Sequence, residues 1–273
     1  MTGWSAVSSA SSTPSFAGLS FVREARGVAH LLLEVVLGTG RTIAQRRFPL
    51  EEYVRQTWFT IRVCTLPALA VSVPFGVILA LQVGVLAQEV GATGFTGAGN
   101  TLAVVRQAAP LITALMLAGV AGSAICADLG SRRIRDEIDA MQVMGVRVEE
   151  RLVLPRMLAT VTVAVLLNGV VMFFSIVTTL LVSVIVQGLS SGGYLASASL
   201  LTQPSDLVLS LVKAAIFGLL CAVVSAHVGL GASRGPAGVS EAVTRAVVAN
   251  FIVLFAANVV ITQVANAVSG GIV

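Results

Sequence analysis

Charge is scarce in this sequence of 273 residues. Asp, Glu, Lys and Arg together make up 11% of the chain, whereas they make up about 25% of a typical soluble domain. Hydrophobic residues account for 56%. A soluble protein needs more charge than this to keep its surface dispersed in water. The composition therefore excludes a soluble globular protein and predicts a membrane protein.

Motifs for metal binding and catalysis are also missing. The three cysteines, Cys64, Cys126 and Cys221, lie far apart in apolar runs, which argues against a disulfide framework or a zinc site. The one lysine, Lys213, is not part of a GxxxxGK[ST] loop, so the chain has no P-loop for nucleotide. No HExxH or GxSxG motif occurs either. We therefore expect a non-catalytic chain with no cofactor or metal of its own.

The first 62 residues predict elements outside the membrane core. Residues 1–20 are rich in serine and carry no charged side chain, which predicts a disordered tail. From Phe21 onward apolar residues recur at helical spacing among charged ones, which predicts an amphipathic helix lying in the membrane interface. Pro49 followed by Glu51 and Glu52 predicts the start of an elbow helix, so that interfacial and elbow helices cover 21–62.

Five apolar runs predict five transmembrane helices, and hence an all-α membrane protein with its membrane domain at 63–268. The runs cover 63–88, 107–127, 157–187, 211–231 and 246–268. The first is long enough to cross a hydrocarbon core of about 30 Å, with tilt or with a break at Pro67 or Pro74. Glycines and serines after residue 187 predict a polar loop.

Basic residues are distributed unevenly among the connections between these runs. Fifteen of the 17 fall on one side of five alternating spans, and two, Arg106 and Lys213, fall on the other. The positive-inside rule therefore predicts a cytoplasmic N-terminus and an external C-terminus. The same clustering beside the spans accounts for the net charge of +4 without a nucleic-acid partner.

The connection between the second and third spans is densely charged. Opposite charges stand four residues apart in three pairs: Arg132 with Asp136, Arg133 with Glu137, and Arg135 with Asp139. Ile134, Ile138 and Met141 form an apolar stripe, and Gly145 can end a helix. The pattern predicts one short cytoplasmic helix over 131–145. It is either a solvated loop helix or a docking helix for a cytoplasmic protein, with Met141 and Met144 as adaptable contacts.

Two features of the second span concern helix packing and contact with lipid. Ala114, Ala118 and Gly122 recur every four residues, a small-residue stripe typical of close helix packing within a subunit or between subunits. Arg106 stands at the outer end of the span, where it can reach lipid headgroups in the interface or bind an anionic lipid headgroup within the protein.

Two long motifs resemble those of a known family. The first runs from Ala118 to Ala124 and continues through Glu137 to Val146 and on to Pro155-Arg156, and the second runs from Gly235 to Thr244. Together they resemble the MlaE/YrbE family of permeases, the membrane subunits of MCE-associated lipid-transporting ABC systems. The resemblance extends from about Phe21 to Val268.

The resemblance implies a permease in the inner membrane that pairs with a second YrbE-type permease subunit, a cytoplasmic ABC ATPase dimer and MCE-domain proteins. The ATPase would bind ATP and Mg, and the permease would move lipids of the phospholipid, fatty acid or sterol class between the MCE assembly and the membrane. Residues 131–145 would be the coupling helix that contacts the ATPase. Its contact residues would be Arg132, Arg133, Arg135, Asp136, Glu137, Asp139, Met141 and Met144. Gln82, Arg106 and Gln107 are candidates for the substrate path.

Two positions depart from the family pattern. Gln107 stands where the family commonly has the Glu of Arg-Glu-Leu-Gly-Pro, and Val120 stands where it often has Arg after Ala-Gly. The loss of one acidic and one basic residue from the same span favours a heterodimer, as in actinobacterial Mce systems, over a homodimer. The alternatives are an ion-coupled secondary transporter, which would need an acidic residue deep within a span, and a structural scaffold of an envelope complex.

Overall fold

The computed structural model describes residues 50–145, 148–233 and 235–270, and within these ranges it contains helices and no strands. The helices are α1 (Leu50–Glu89), α2 (Thr93–Ile134), α3 (Glu137–Val143), α4 (Leu154–Ile185), α5 (Ser191–Leu201), α6 (Pro204–Leu230) and α7 (Pro236–Gly270). The predicted tail at 1–20 and the predicted interfacial helix from Phe21 to residue 49 lie outside the described residues.

Five of these helices are long and apolar enough to cross a membrane, which confirms the predicted all-α membrane fold. They are α1, α2, α4, α6 and α7, and their spanning segments are between 27 and 42 residues long. At about 1.5 Å per residue, a helix of 40 residues measures about 60 Å, twice the thickness of the hydrocarbon core. The two longest helices, α1 and α2, therefore extend well beyond the apolar layer.

Helix α1 joins two segments that the sequence predicted separately. Residues 50–62, expected as an elbow helix, continue directly into the first span, and the helix runs through Pro67 and Pro74 without a break. Each proline removes one backbone donor, but within a membrane bundle neighbouring side chains and small local adjustments compensate for that loss. Glu51 and Glu52 lie in the first turn, where the helix dipole favours acidic side chains.

Helix α2 is longer and less regular than the predicted second span. It begins at Thr93 rather than near residue 107, and it contains two π-helical turns, Val104–Ala108 and Leu117–Ala121. A π-helical turn holds an extra residue and so rotates the face that the rest of the helix presents. Because a periodicity of 3.6 residues assumes a regular helix, the sequence pattern did not reveal these turns.

The helices alternate in direction, so that their ends gather at two ends of the bundle. Arg156 near the start of α4 lies beside Glu52 on α1, and Gln187 just past the end of α4 donates to the carbonyl of Ala80 at 2.7 Å. We call the end that holds Glu52, Arg156 and α3 the charged end. The opposite end, which holds Glu89 and α5, is the far end.

The apolar core lies around α2. Ile112 and Leu117 of this helix belong to one buried cluster with Leu167 of α4, Phe217 of α6 and Leu254 of α7. In its most apolar window 61% of α2 is buried inside the structure, compared with 22% for α1 and 17% for α7. Helix α2 is thus the central helix, and α1 and α7 present most of their apolar surface outward.

The predicted polar loop after residue 187 is wrong, because these residues form α5. Ser190 caps this helix by accepting a hydrogen bond from the backbone nitrogen of Gly193 at 3.1 Å. The hydroxyl of the buried Tyr194 donates to Thr179 at 3.0 Å and ties α5 to α4. Capping by serine and burial of one tyrosine give the segment helical structure that its glycine and serine content concealed.

Glycine at position 218 is required for the close contact between α6 and α4. A Cβ at Gly218 would lie 2.8 Å from the Cα of Val161 and 2.9 Å from the Cβ of Ala164. We expect Gly218→Ala to lower the melting temperature of the detergent-purified protein by roughly 2–10 °C, because overpacking displaces one helix from the other.

The matched control for this prediction is Gly169→Ala on α4, where a Cβ would meet nothing within 4 Å. This variant should melt at or above the wild-type temperature, since alanine favours a helix over glycine by about 1 kcal/mol. Equal melting temperatures for the two variants would contradict the close contact at Gly218.

Candidate functional site

The charged connection forms two helices rather than the single helix predicted over 131–145. Helix α2 continues to Ile134 and α3 begins at Glu137, while Asp136 between them has a left-handed φ of 55°. Residues other than glycine seldom adopt a positive φ, although aspartate does so more readily than most. Gly145 follows α3 with a φ of 73°, and its N–H donates to the carbonyl of Gln142 at 3.0 Å.

Helix α3 is amphipathic, with one side packed on the bundle. Ile138 is 1% exposed and belongs to a cluster with Leu129 of α2 and Leu152, just before α4. Past these contacts Val143 is 89% exposed and Met144 is 69% exposed. The helix therefore presents apolar side chains, flanked by charges, away from the bundle at the charged end.

Ion pairs cross the break between α2 and α3. Across the break, Arg132 lies 3.6 Å from Glu137 and Arg135 lies 2.7 Å from Glu137, while within α2 Arg132 also lies 3.4 Å from Asp128. Arg133 pairs with Asp139 at 3.9 Å. Spacings of two, five and six residues do not occur along one face of a regular helix. They arise because the chain turns at Asp136 and brings the start of α3 back toward the last turn of α2.

Arg156 lies at the centre of a second charged cluster, where α1, α2 and α4 meet. Its side chain is 2% exposed. One guanidinium nitrogen, Nη2, donates to Asp128 and lies 3.5 Å from Oε1 of Glu52, while Nη1 donates to the carbonyl of Leu152 at 2.7 Å. A buried cation is unfavourable unless it is paired. Here the two carboxylates come from two other helices.

Glu52 is itself held by neighbours on α1. It accepts hydrogen bonds from Arg55 and, at 2.9 Å, from Gln56. One residue further along, the hydroxyls of Tyr53 and Thr162 are hydrogen bonded at 2.9 Å. These contacts fix the start of α1 against α4.

A cavity of about 470 Å³ opens between α1 and α2 near this cluster. Its walls include Phe59 and Val63 of α1 and Val120 of α2, and Arg55 and Arg132 are among its polar lining residues. Val120 is the position where the sequence departs from the family's arginine, and here it forms part of an apolar wall. A groove with apolar walls and a few charges at its edge has the chemistry to hold an amphiphilic molecule.

A third charged cluster occupies the far end. Arg106 of α2 forms an ion pair with Asp206 of α6 at 2.8 Å, and the side chains are 47% and 6% exposed respectively. Lys213 of α6 is 1% exposed, and it donates to the carbonyl of Arg106 at 3.1 Å and to Thr262 of α7 at 2.9 Å. The cluster therefore joins α2, α6 and α7.

The predicted place of Lys213 in an outer connection is wrong. Helix α6 already begins at Pro204, and Lys213 lies inside the bundle. The sequence pattern does not single out Asp206 as a site residue. Asp206 and Lys213 are, however, seven residues apart, and this spacing places both side chains on the same face of α6.

The other predicted site residues are divided between the surface and the interior. Gln82 is exposed on α1 and Gln107 is exposed on α2. Ala114 and Ala118 are 4% and 0% exposed. A Cβ at Gly122 would lie 2.5 Å from Nδ2 of Asn250 and 2.9 Å from the hydroxyl of Ser225. The small-residue stripe therefore lies inside the chain, and at Gly122 it lets α2 approach α6 and α7 closely.

Known proteins are similar to this chain over most of its length. The family model described as Permease MlaE matches residues 53–264. A probable ABC transporter permease protein of Synechocystis sp. is 30% identical over 183 residues, which cover 67% of this chain and 70% of that protein. A probable ABC transporter permease protein of Rickettsia bellii is 30% identical over 203 residues, covering 73% of this chain and 77% of that protein.

A plant protein is also similar. The chloroplastic protein TRIGALACTOSYLDIACYLGLYCEROL 1 of Arabidopsis thaliana is 30% identical over 162 residues, which cover 59% of this chain and 46% of that protein. The residues of the three charged clusters, apart from Glu52, fall within the range that the family model matches.

The pairing of Arg106 with Asp206 can be measured by a double-mutant cycle. We expect Arg106→Gln and Asp206→Asn each to lower the free energy of unfolding, and the double variant to lose less than the sum. The coupling should be about 1 kcal/mol, because the arginine is half exposed while the carboxylate is buried. The measurement is thermal unfolding of all four proteins in detergent.

A matched control for this cycle is Glu89→Gln, which neutralises an exposed carboxylate at the same end of the bundle. It should leave the melting temperature within about 1 °C of the wild type. Strictly additive losses for Arg106→Gln and Asp206→Asn would show that the pair contributes nothing to stability.

Proposed function

The chain belongs to the MlaE permease family, and on this premise we propose that it is the permease subunit of an ABC-type lipid transporter. It translocates lipids of the phospholipid, fatty acid or sterol class between an MCE protein assembly and the inner membrane. A separate cytoplasmic ATPase dimer binds ATP and Mg and supplies the energy. The observation that carries the proposal is α3, a short helix outside the membrane spans that exposes apolar side chains beside charges.

The surface of α3 supports its role as the contact for the ATPase. Val143 and Met144 are among the most exposed large apolar side chains of the described chain, yet α3, with seven residues, is too short to span a membrane. Exposed apolar residues outside a membrane span mark an interaction surface. The charges of Arg133, Arg135 and Asp139 around them supply the complementarity that selects one partner.

The apolar cavity and the plant relative support a lipid as the transported molecule. The cavity between α1 and α2 offers an apolar wall with Arg55 and Arg132 at its edge, which fits a molecule with an acyl part and a polar head. The plant relative is named for trigalactosyldiacylglycerol, a glycolipid. Gln82, Arg106 and Gln107 remain the candidates for the lipid path at the far end.

The exposed faces of α1 and α7 support pairing with a second permease subunit. These two helices are the least buried of the five spans, and Gln107 of the adjoining α2 is exposed as well. Since Gln107 and Val120 replace the family's acid and base, the second subunit is a non-identical YrbE-type permease that supplies the missing charges.

Recovery of the ATPase on this chain tests the role of α3. We expect Val143→Asp to reduce co-purification of the ATPase at least roughly tenfold, because the aspartate would be buried unpaired in the contact. The measurement is quantitative mass spectrometry of the complex isolated through a tag on this chain, with bound lipids identified in the same preparation.

The matched control is Val90→Asp, which makes the same change at a valine that is 75% exposed at the far end. It should leave ATPase recovery unchanged. Undiminished recovery with Val143→Asp would remove α3 as the contact, and a wild-type complex without bound lipid would argue against the lipid assignment.

Cysteine accessibility tests the orientation of the bundle. With the charged end in the cytoplasm, as the positive-inside rule predicts, an impermeant maleimide added to intact cells should label Ser199→Cys on α5 and leave Gln142→Cys on α3 unlabelled. Both positions are exposed, whereas the native Cys64, Cys126 and Cys221 are buried and give little background. Labelling of Gln142→Cys from outside would invert the topology.

A further inference from the structure

Charged side chains of alternating sign form a continuous series from the break between α2 and α3 to the first two turns of α1. In order along the series they are Arg135, Glu137, Arg132, Asp128, Arg156, Glu52 and Arg55. Each member contacts the next by an ion pair of at most 3.6 Å. The series passes through four helices, α3, α2, α4 and α1, that are far apart in the sequence.

Burial is greatest in the middle of this series. The side chains of Arg135 and Arg55 at its two ends are 58% and 67% exposed, whereas that of Arg156 is 2% exposed. Exposed ion pairs contribute little because water and salt screen them. Removing one partner of a buried pair leaves an uncompensated charge and is therefore costly. Loss of a charge is therefore expected to be most costly at Arg156.

Because the helix is interrupted at Asp136, the ion pairs around it help to hold α3 in place relative to α2. Because the backbone leaves the helical conformation there, α2 and α3 are not one rigid rod. The contact of Glu137 with Arg132 bridges the break and ties the start of α3 to α2. A force on α3 therefore reaches Asp128 through side chains as well as through the backbone.

We propose that Arg156 is a positioning residue that transmits displacement of α3 to α1 and α4. This inference rests on the proposed function, in which the ATPase moves α3. Arg156 holds Asp128 of α2 and Glu52 of α1 from its place on α4. Displacement of the end of α2 therefore shifts the start of α1, and with it the width of the cavity that α1 and α2 enclose.

The distance across the cavity is the direct readout of this coupling. Spin labels at Val63→Cys on α1 and Ala124→Cys on α2 flank the cavity, and pulsed electron resonance measures their separation in the complex with the ATPase and the second permease. In the otherwise unaltered chain the distance should change between the nucleotide-free and vanadate-trapped states. With Arg156→Met this change should fall at least about fivefold, while the ATPase still binds and hydrolyses ATP.

Two further variants separate positioning from simple stability. Arg156→Lys keeps the charge but not the forked geometry, and it should restore part of the distance change. The triple variant Glu52→Gln, Asp128→Asn, Arg156→Met removes all three charges, and loss of a complete buried network is often neutral for folding. It should melt near the wild-type temperature and still lack the distance change.

The control is Arg151→Gln, which removes an exposed arginine from the turn before α4 and should keep the full distance change. A full change with Arg156→Met would overturn the inference. Failure of the triple variant to fold would overturn it too, since the cluster would then be structural. Failure of the unaltered chain to bind the ATPase would instead refute the proposed function, so the two failures are distinguishable.

Discussion

A charge buried among membrane helices must find its partner on another helix, and this constraint fixes the arrangement of the bundle. Arg156 at the charged end and Lys213 at the far end are both almost completely buried. Each is held by groups from two other helices. Because bilayer and apolar core offer no water to an unpaired charge, these contacts allow few alternative positions of the helices.

Helix α2 takes part in both clusters. It supplies Asp128 to Arg156 at one end, and the carbonyl of Arg106 to Lys213 at the other. One π-helical turn, Val104–Ala108, contains Arg106 itself, and the other, Leu117–Ala121, lies between Arg106 and Asp128. The central helix of the bundle is therefore anchored at two distant points and is irregular at one of them and between the two. Such irregular turns recur at functional sites because they hold side chains that a regular helix would turn away.

The sequence predicts those features of the fold that depend on local composition. Long apolar runs dictate the five spans because an uninterrupted apolar segment of about 20 residues satisfies its backbone hydrogen bonds in a bilayer by forming a helix, and Gly145 marks the end of α3 because it tolerates a positive φ. The break at Asp136 escaped prediction because the residues on both sides follow a helical pattern. The cluster of Glu52, Asp128 and Arg156 escaped it because only the folded chain brings together residues so distant in sequence.

The sequence singles out some residues of the candidate site and not others, because it shows local charge but not contacts between distant helices. The residues of α3 stand out by their charge, and Arg106 stands out as a lone cation at the edge of a span. Asp206 looks like an ordinary residue at the start of a helix, and Lys213 looks like an interfacial lysine. Only the packing of α6 against α2 and α7 turns them into partners of Arg106 and Thr262.

The unbroken course of α1 has a geometric consequence. The helix is about 60 Å long and runs from Leu50 to Glu89. Its contact through Glu52 lies at one end, so a small rotation there moves the opposite end by a much larger distance. A tilt of only about five degrees around that contact would swing Glu89 by about 5 Å, calculated from the rise of a regular helix. A small rotation at one end of the bundle is thus converted, through the length of α1 alone, into a displacement of several ångströms at the other end.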